Sequence, residues 1–228
     1  MLNIDEFKIY LINDLLGVKR DPDIVYPNVS DSDWENYYEE IKPLLGLREL
    51  GFTRIFEYLN NIKDPVIVET GTVREDYNFE GDGCSTVLFD NYIGNKGGTL
   101  ITVDIDPVAC KNARTVTTNA EVVEADSVEY LATLDGKVDL LYLDSFNIYN
   151  WLDDWKASAH HLKEIFAAKN NIKEGTLIVV DDNLYVPNTE DNKRKSGKGR
   201  IINELMQSIG ISTFIDGYHI GWIWEEAE

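Results

Sequence analysis

With 228 residues, 43% of them hydrophobic, the chain is long enough for one substantial α/β domain or two very small ones and too apolar for wholesale disorder. The 21 lysines and arginines stand against 41 aspartates and glutamates, and the formal net charge of −20 repels phosphate backbones and disfavours nucleic acid as a partner. No apolar run reaches the roughly 20 residues of a membrane span, and Met1 to Glu6 carry no basic, cleavable leader, so a cytoplasmic protein with no membrane partner is expected.

In chain order, residues 1–62 read as an α-helical lead-in. Ser30-Asp31-Ser32-Asp33 offers N-cap side chains ahead of Trp34, Tyr37, Tyr38 and Ile41, which recur at helical spacing. Phe52, Ile55, Phe56 and Leu59 form a second amphipathic stripe between Gly51 and Asn61. From residue 65 short apolar runs alternate with helical stretches, the pattern of βαβ units and a parallel sheet. Strands are predicted at Val66–Glu69, Thr99–Asp104, Glu121–Val123, Val138–Asp144 and Thr176–Asp181. Helices are predicted near Ser85–Ile93, Pro107–Thr117, Ser127–Leu134 and Trp151–Asn171. Leu140-Leu141-Tyr142-Leu143 and Leu177-Ile178-Val179-Val180 are the continuous apolar runs of strands buried on both faces. Residues 187–200 are polar and basic and read as a mobile loop, with Gly197 and Gly199 giving Lys198 the freedom of a closing lid. A helix at Ile201–Ile209 and a hairpin of Ile211–Ile215 and His219–Trp224 around Asp216-Gly217 complete the chain. Cys84 and Cys110 make no zinc-like cluster and read as packed, reduced thiols.

The chemistry gathers at strand ends. The first strand closes with Glu69-Thr70-Gly71-Thr72, and Gly81-Asp82-Gly83-Cys84-Ser85-Thr86 opens the next helix, so backbone can approach a ligand beside a helix N-terminus. Asp104 ends the second strand, where an acid can accept both hydroxyls of a ribose. A nicotinamide dinucleotide is the competing ligand. Against it, Glu69 has the wrong sign for a pyrophosphate but suits an ammonium group, and Arg74–Glu80 breaks the GxGxxG spacing.

These segments, with Val103-Asp104-Ile105-Asp106-Pro107, resemble motifs I and II of class I S-adenosylmethionine-dependent methyltransferases over roughly residues 60–225. The resemblance implies a Rossmann-like, doubly wound seven-stranded sheet of order 3-2-1-4-5-7-6 with strand 7 antiparallel, spanning residues 63–228. Residues 1–62 would be a helical extension capping the acceptor. It further implies that S-adenosylmethionine lies with its methionine end at Glu69 and Gly71 and its ribose on Asp104. Adenine would lie against Asp126, Ser127 and Phe146, although Asp126 also suits a helix N-cap. Thr72, Ser85, Ile105 and Asp144 complete the expected cofactor set.

Strand four ends at Asp144 and strand five at Asp181-Asp182, so three carboxylates should converge on one edge of the cleft. With no lysine or arginine beside them in sequence, their repulsion asks for a cation, and oxygen ligands suit Mg²⁺. The arrangement resembles the metal site of divalent-cation-dependent O-methyltransferases of the catechol and macrocin types. The implied reaction is Mg²⁺-dependent O-methylation of a hydroxyl on a small molecule or saccharide, with Asp144 catalytic. One departure is Asn147, which stands where the catechol type has its lysine base and cannot accept a proton. His160 and His161 are the substitute base candidates. A non-catalytic S-adenosylmethionine-binding or assembly protein and a nucleic-acid methyltransferase remain as alternatives, and a homodimer is left open.

Overall fold

A computed structural model describes residues 33–75, 78–79, 84–148, 154–189 and 192–225. Residues 1–32 of the lead-in, Gly81, Asp82 and Gly83, and the Trp151 start of the expected long helix lie outside the described residues.

Among the described residues two short helices come first, α1 (Trp34–Ile41) and α2 (Glu49–Leu59), joined by 3-10 turns at Lys42–Leu44 and Gly46–Arg48. Asp33 caps α1, its carboxylate accepting from the Asn36 N–H at 3.0 Å. Then follow β1 (Val66–Thr70), α3 (Ser85–Lys96), β2 (Thr99–Asp104), α4 (Pro107–Val116), β3 (Glu121–Glu124), α5 (Ser127–Thr133) and β4 (Leu140–Leu143). The second half contains α6 (Trp155–Ala167), β5 (Leu177–Val180), β6 (Asn183–Thr189), β7 (Asn192–Gly197), α7 (Arg200–Ser208), β8 (Thr213–Asp216) and β9 (Ile220–Ile223). The seven-stranded sheet runs β3-β2-β1-β4-β5-β9-β8, with β9 antiparallel to β5. Counting the strands of this sheet alone, that is the expected 3-2-1-4-5-7-6.

Alternation along the strands divides the interior into two cores. Ile67, Leu140, Tyr142, Leu177 and Val179 face α1, α2 and α3, whereas Val68, Leu141, Leu143, Ile178 and Val180 face Leu131, Ile165, Ile202 and Met206 of α5, α6 and α7. The described part of the lead-in shares the first core. Trp34 meets Phe56 at 4.6 Å and Tyr92 at 5.2 Å between ring centroids, and Phe52 stacks on Tyr142 at 6.0 Å. Both cysteines are buried. The strand register aligns Thr70 with Leu143 and Leu143 with Val180. Gly71, Asp144 and Asp181 therefore leave the sheet side by side at its carboxyl edge.

The basic stretch at 187–200 overturns the expectation of a mobile loop, since β6 and β7 pair there as an antiparallel hairpin. Its root is pinned by Asp154, a buried carboxylate that accepts from Ser196 Oγ at 2.8 Å, the Gly197 N–H at 2.9 Å and Arg200 at 2.8 Å. Lys195 lies over the Tyr185 ring and bonds Asp216 at 2.7 Å. Basic letters thus read as solvated because the acids that bury them lie elsewhere in the chain. Gly197 has φ +113, and a Cβ there would sit 2.0 Å from the Asp182 carbonyl oxygen. Gly197→Ala should therefore destabilise the fold by roughly 2–4 kcal/mol in urea unfolding, combining backbone strain with a clash against a strand end. A loss below about 0.5 kcal/mol, the range of ordinary surface substitutions, would show that the hairpin is not seated there.

Candidate active site

Three strand ends build one half of the site. Gly71 turns the chain at φ +81, and its N–H donates to the Val103 carbonyl at 2.8 Å. A Cβ there would meet the Asp144 carbonyl oxygen at 2.8 Å, so only glycine lets the β1 and β4 ends run this close. The Asp104 carboxylate is held by two backbone donors, Thr72 N–H at 3.0 Å and Asp106 N–H at 2.8 Å. Beside it Ile105 is 69% exposed although apolar. A fixed carboxylate acceptor next to an uncovered apolar side chain fits the hydroxyls of a ribose and the ring it carries.

Glu69 lies deeper than expected. It is completely buried, with Oε2 accepting from Thr86 at 2.6 Å and Thr102 at 2.7 Å. Burial lifts its carboxyl to about 7, against the hydroxyls of Ser85, Thr86 and Thr102, which favour the charged form. Ser85 opens α3 and is buried alongside it.

Beyond β3, Asp126 caps α5 by accepting from the Glu129 N–H at 3.0 Å, in keeping with the N-cap role open to it in the sequence. Phe146 is 46% exposed, adopts φ 55 and stacks on His160 at 5.2 Å. His160 Nε2 lies 3.3 Å from Ser127 Oγ and 3.4 Å from Glu164. His161 is wholly buried, its Nδ1 2.7 Å from the Ala157 carbonyl oxygen, and burial lowers it to about 4 despite the pull of Glu164. A histidine without exposed surface cannot touch an acceptor, and His160 is engaged beside Phe146 and Ser127. The two candidate bases thus find their partners, among the described residues, in Phe146, Ser127, Glu164 and Ala157 and not in a strand-end carboxylate. Asn147 accepts from Arg74 at 3.0 Å.

The second constellation is assembled as expected, but with partners the sequence conceals. Lys198 Nζ bonds Asp144 Oδ1 at 2.5 Å, the Asp144 carbonyl oxygen at 3.0 Å and Asp182 Oδ2 at 2.9 Å. Arg48, from the turn before α2, donates to Asp181 Oδ2 at 2.8 Å and Asp182 Oδ1 at 3.3 Å. Tyr142 also donates to Asp181 Oδ2, at 3.1 Å, and His219 Nε2 lies 3.3 Å from Asp181 Oδ1. Tyr218 donates to Asp182 Oδ1 at 2.6 Å, and the Asp182 N–H donates to Asp181 Oδ1 at 2.7 Å. Phe146 and Asp182, both with left-handed backbone, follow β4 and β5 closely, where strain is commonly held for function.

This corrects the basis for Mg²⁺. The carboxylates have cations, delivered from residues 48 and 198, and among the described residues only Asp144 Oδ2 is without a hydrogen bond. No group of three or more metal-ligating side chains is arranged to hold an ion among the described residues. The residues as placed do not fit a divalent cation.

The same balance sets the acid strengths. Burial raises the Asp144 carboxyl, Lys198 opposes this, and Asp181 and Asp182 add to it, leaving it at about 7. Burial would raise Asp181 too, but Arg48 and His219 hold it well below the ordinary carboxylate value. Burial and the Asp181 charge would raise Asp182, but Lys198 and Arg48 together hold it below the ordinary carboxylate value.

Residues 81–183, somewhat under half of the chain, match the sequence model of a methyltransferase domain family. No match was found among curated protein sequences. Among solved structures, the chain is similar to the TDP-rhamnose 3'-O-methyltransferase CalS11 of calicheamicin biosynthesis, at 12% identity and a TM-score of 0.56, over 99% of this chain and 97% of that one. It is also similar to the SAH-bound methyltransferase PaMTH1 of Podospora anserina, at 17% identity and a TM-score of 0.53, over 99% of both chains. A third similarity is to MycE of the mycinamycin pathway, in complex with Mg and SAH, at 14% identity and a TM-score of 0.55, over 97% of this chain and 63% of that one. At these identities the likeness establishes the fold, which is that of S-adenosylmethionine-dependent methyltransferases.

Proposed function

We propose that this protein is an S-adenosylmethionine-dependent methyltransferase acting on a hydroxyl of a small molecule or saccharide. The observation that carries the reading is Asp104, fixed by two backbone amides at the carboxyl edge of β2 beside exposed Ile105, with Asp144 across the Gly71 turn. S-adenosylmethionine supplies a methyl group activated by its sulfonium. Asp104 accepts the ribose hydroxyls, Ile105 and Phe146 cover the adenine, and Asp126 and Ser127 border it. Gly71, Thr72 and Ser85 border the methionine end, with Glu69 behind them.

The acceptor side belongs to Asp144. Its Oδ1 is held by Lys198, its Oδ2 is without a hydrogen bond among the described residues, and its side chain is 20% exposed. A carboxyl near neutral strength can take the hydroxyl proton as the methyl group arrives, without the lysine that Asn147 replaces. Positioning of the acceptor oxygen then supplies most of the remaining acceleration. Residues 33–62, which deliver Arg48 to this edge, form part of the acceptor's surroundings, and a sugar hydroxyl suits a site so rich in fixed carboxylates and phenols.

Titration calorimetry with S-adenosylmethionine and its demethylated product tests the reading. Micromolar binding is expected, and Asp104→Ala should weaken it by roughly 5- to 150-fold, or about 1–3 kcal/mol, because two hydroxyls lose a charged acceptor. Absence of heat with either ligand, together with binding of NADH, would overturn it.

A further inference from the structure

We propose that the Lys198 ammonium is a built-in replacement for a divalent cation at the strand-end carboxylates, so that this protein neither binds nor needs a metal ion there. For the reaction served, the inference rests on the methyl-transfer reading; the metal binding that tests it does not.

The ammonium sits where a cation is called for, between the carboxyl ends of β4 and β5. All three of its N–H donors meet oxygen, two from Asp144 and one from Asp182, at 2.5 to 3.0 Å. Those are hydrogen-bond lengths, longer than the roughly 2.0–2.1 Å of Mg²⁺–oxygen contacts, and an ion of that size would need the same oxygens. The Lys198 side chain is only 2% exposed, so bulk ions do not compete with it through water.

The backbone on both sides is fixed as well. The Gly197 N–H donates to Asp154 at 2.9 Å, the Lys198 N–H to the Asp182 carbonyl at 3.2 Å, and the Gly199 N–H to Asn183 Oδ1 at 2.7 Å. Asn183 is itself locked, its side-chain amide donating to the Val180 carbonyl at 2.8 Å and the Asp181 carbonyl at 2.9 Å. A lysine held by three main-chain anchors on one side of its cluster, with Arg48 closing the other, is a permanent counter-ion. Because all its donors are used, Lys198 does not bind the acceptor; it is a positioning residue that holds Asp144. An acceptor at this site then requires no pair of neighbouring oxygens to chelate a metal.

Chelator-treated full-length protein, titrated with Mn²⁺ at physiological salt and followed by the paramagnetic signal of the free ion, is the test, because such salt screens the diffuse surface charge. The wild type is expected to take up no ion at the level of one per chain, and its melting temperature should not respond to the ion. Lys198→Ala removes the ammonium and leaves its oxygens, so it should gain uptake of about one Mn²⁺ per chain and melt at higher temperature with the ion than without. Lys198→Met, which keeps the apolar stem, is the second variant should the alanine form fail to fold. Uptake of one Mn²⁺ per chain by the wild type would overturn the proposal, as would a folded Lys198 variant that takes up none. Should neither variant fold, the wild-type titration decides alone. A protein that binds no S-adenosylmethionine but gives these metal results would refute the enzymatic reading and leave the ammonium assignment standing.

Discussion

Replacing Arg48 by alanine is expected to cost about 3–5 kcal/mol of folding stability, the range for removing one partner of a buried ion pair. Arg48 is 4% exposed and Asp181 not at all, so the variant would leave a desolvated carboxylate whose hydrogen-bonding neighbours among the described residues are Tyr142, His219 and a backbone N–H. The pH dependence separates this cause from simple loss of packing. In the wild type Asp181 is held below its ordinary value, so its contribution is present above the unfolded carboxylate value near 4 and is lost as pH falls through the lower folded one. Without Arg48, burial dominates and raises the group, and protonation then relieves the variant. Urea unfolding should therefore show a deficit that is largest at pH 7 and smaller near pH 4. A deficit equal at both values would mean that Arg48 acts through its stem and the Tyr218 ring it lies over, 4.8 Å away, and not through charge.

Asp144→Asn should lower kcat by roughly 10²- to 10⁴-fold, the usual contribution of a positioned general base, while leaving cofactor affinity nearly unchanged. Wild-type kcat should rise with pH through about 7 as Asp144 ionises among Lys198, Arg48, Asp181 and Asp182, and the variant should lose that limb. The stability linkage has the opposite sign from that of Asp181. A carboxyl raised in the fold contributes stability below the unfolded value near 4, and that contribution is lost as pH rises through about 7. The ionised base is thus held against folding, but asparagine also takes one of two counter-charges from the buried Lys198 ammonium; its side-chain oxygen still accepts from Lys198 and Asp182 remains paired, so the variant should be destabilised at neutral pH yet stay folded. An unaltered pH profile in a folded Asp144→Asn variant would remove this residue from proton transfer.

Much of the framework was legible from local pattern. The apolar runs at 140–143 and 177–180, the caps at Asp33 and Asp126, and the glycine at 71 each follow from requirements a short segment carries within itself: burial on two faces, orphan amides at a helix start, a positive φ. The strand ends are fixed by the same pattern, which is why the sequence alone places Asp104, Asp144, Asp181 and Asp182 on one edge. Helix ends were less legible. The helix expected over Trp151–Asn171 occupies Trp155–Ala167 and finishes in a 3-10 turn. No strong stop signal marks Ala168, which continues the helical pattern in sequence.

What the sequence by itself determined is a parallel sheet with its carboxylates gathered at one end and a glycine turn for a ligand beside them. What only the tertiary structure decided is how those carboxylates are neutralised. Arg48 lies 133 residues from Asp181 in sequence, and Lys198 lies 54 from Asp144. The Gly197-Lys198-Gly199 signal was present in the letters, but it reads as freedom of motion until the neighbour that the backbone approaches is known. Electrostatic energy depends on distance in space and on exclusion of water, and neither quantity is written in sequence separation. Local composition therefore predicted a repelling cluster in need of a metal, and folding supplied two organic cations from opposite ends of the chain.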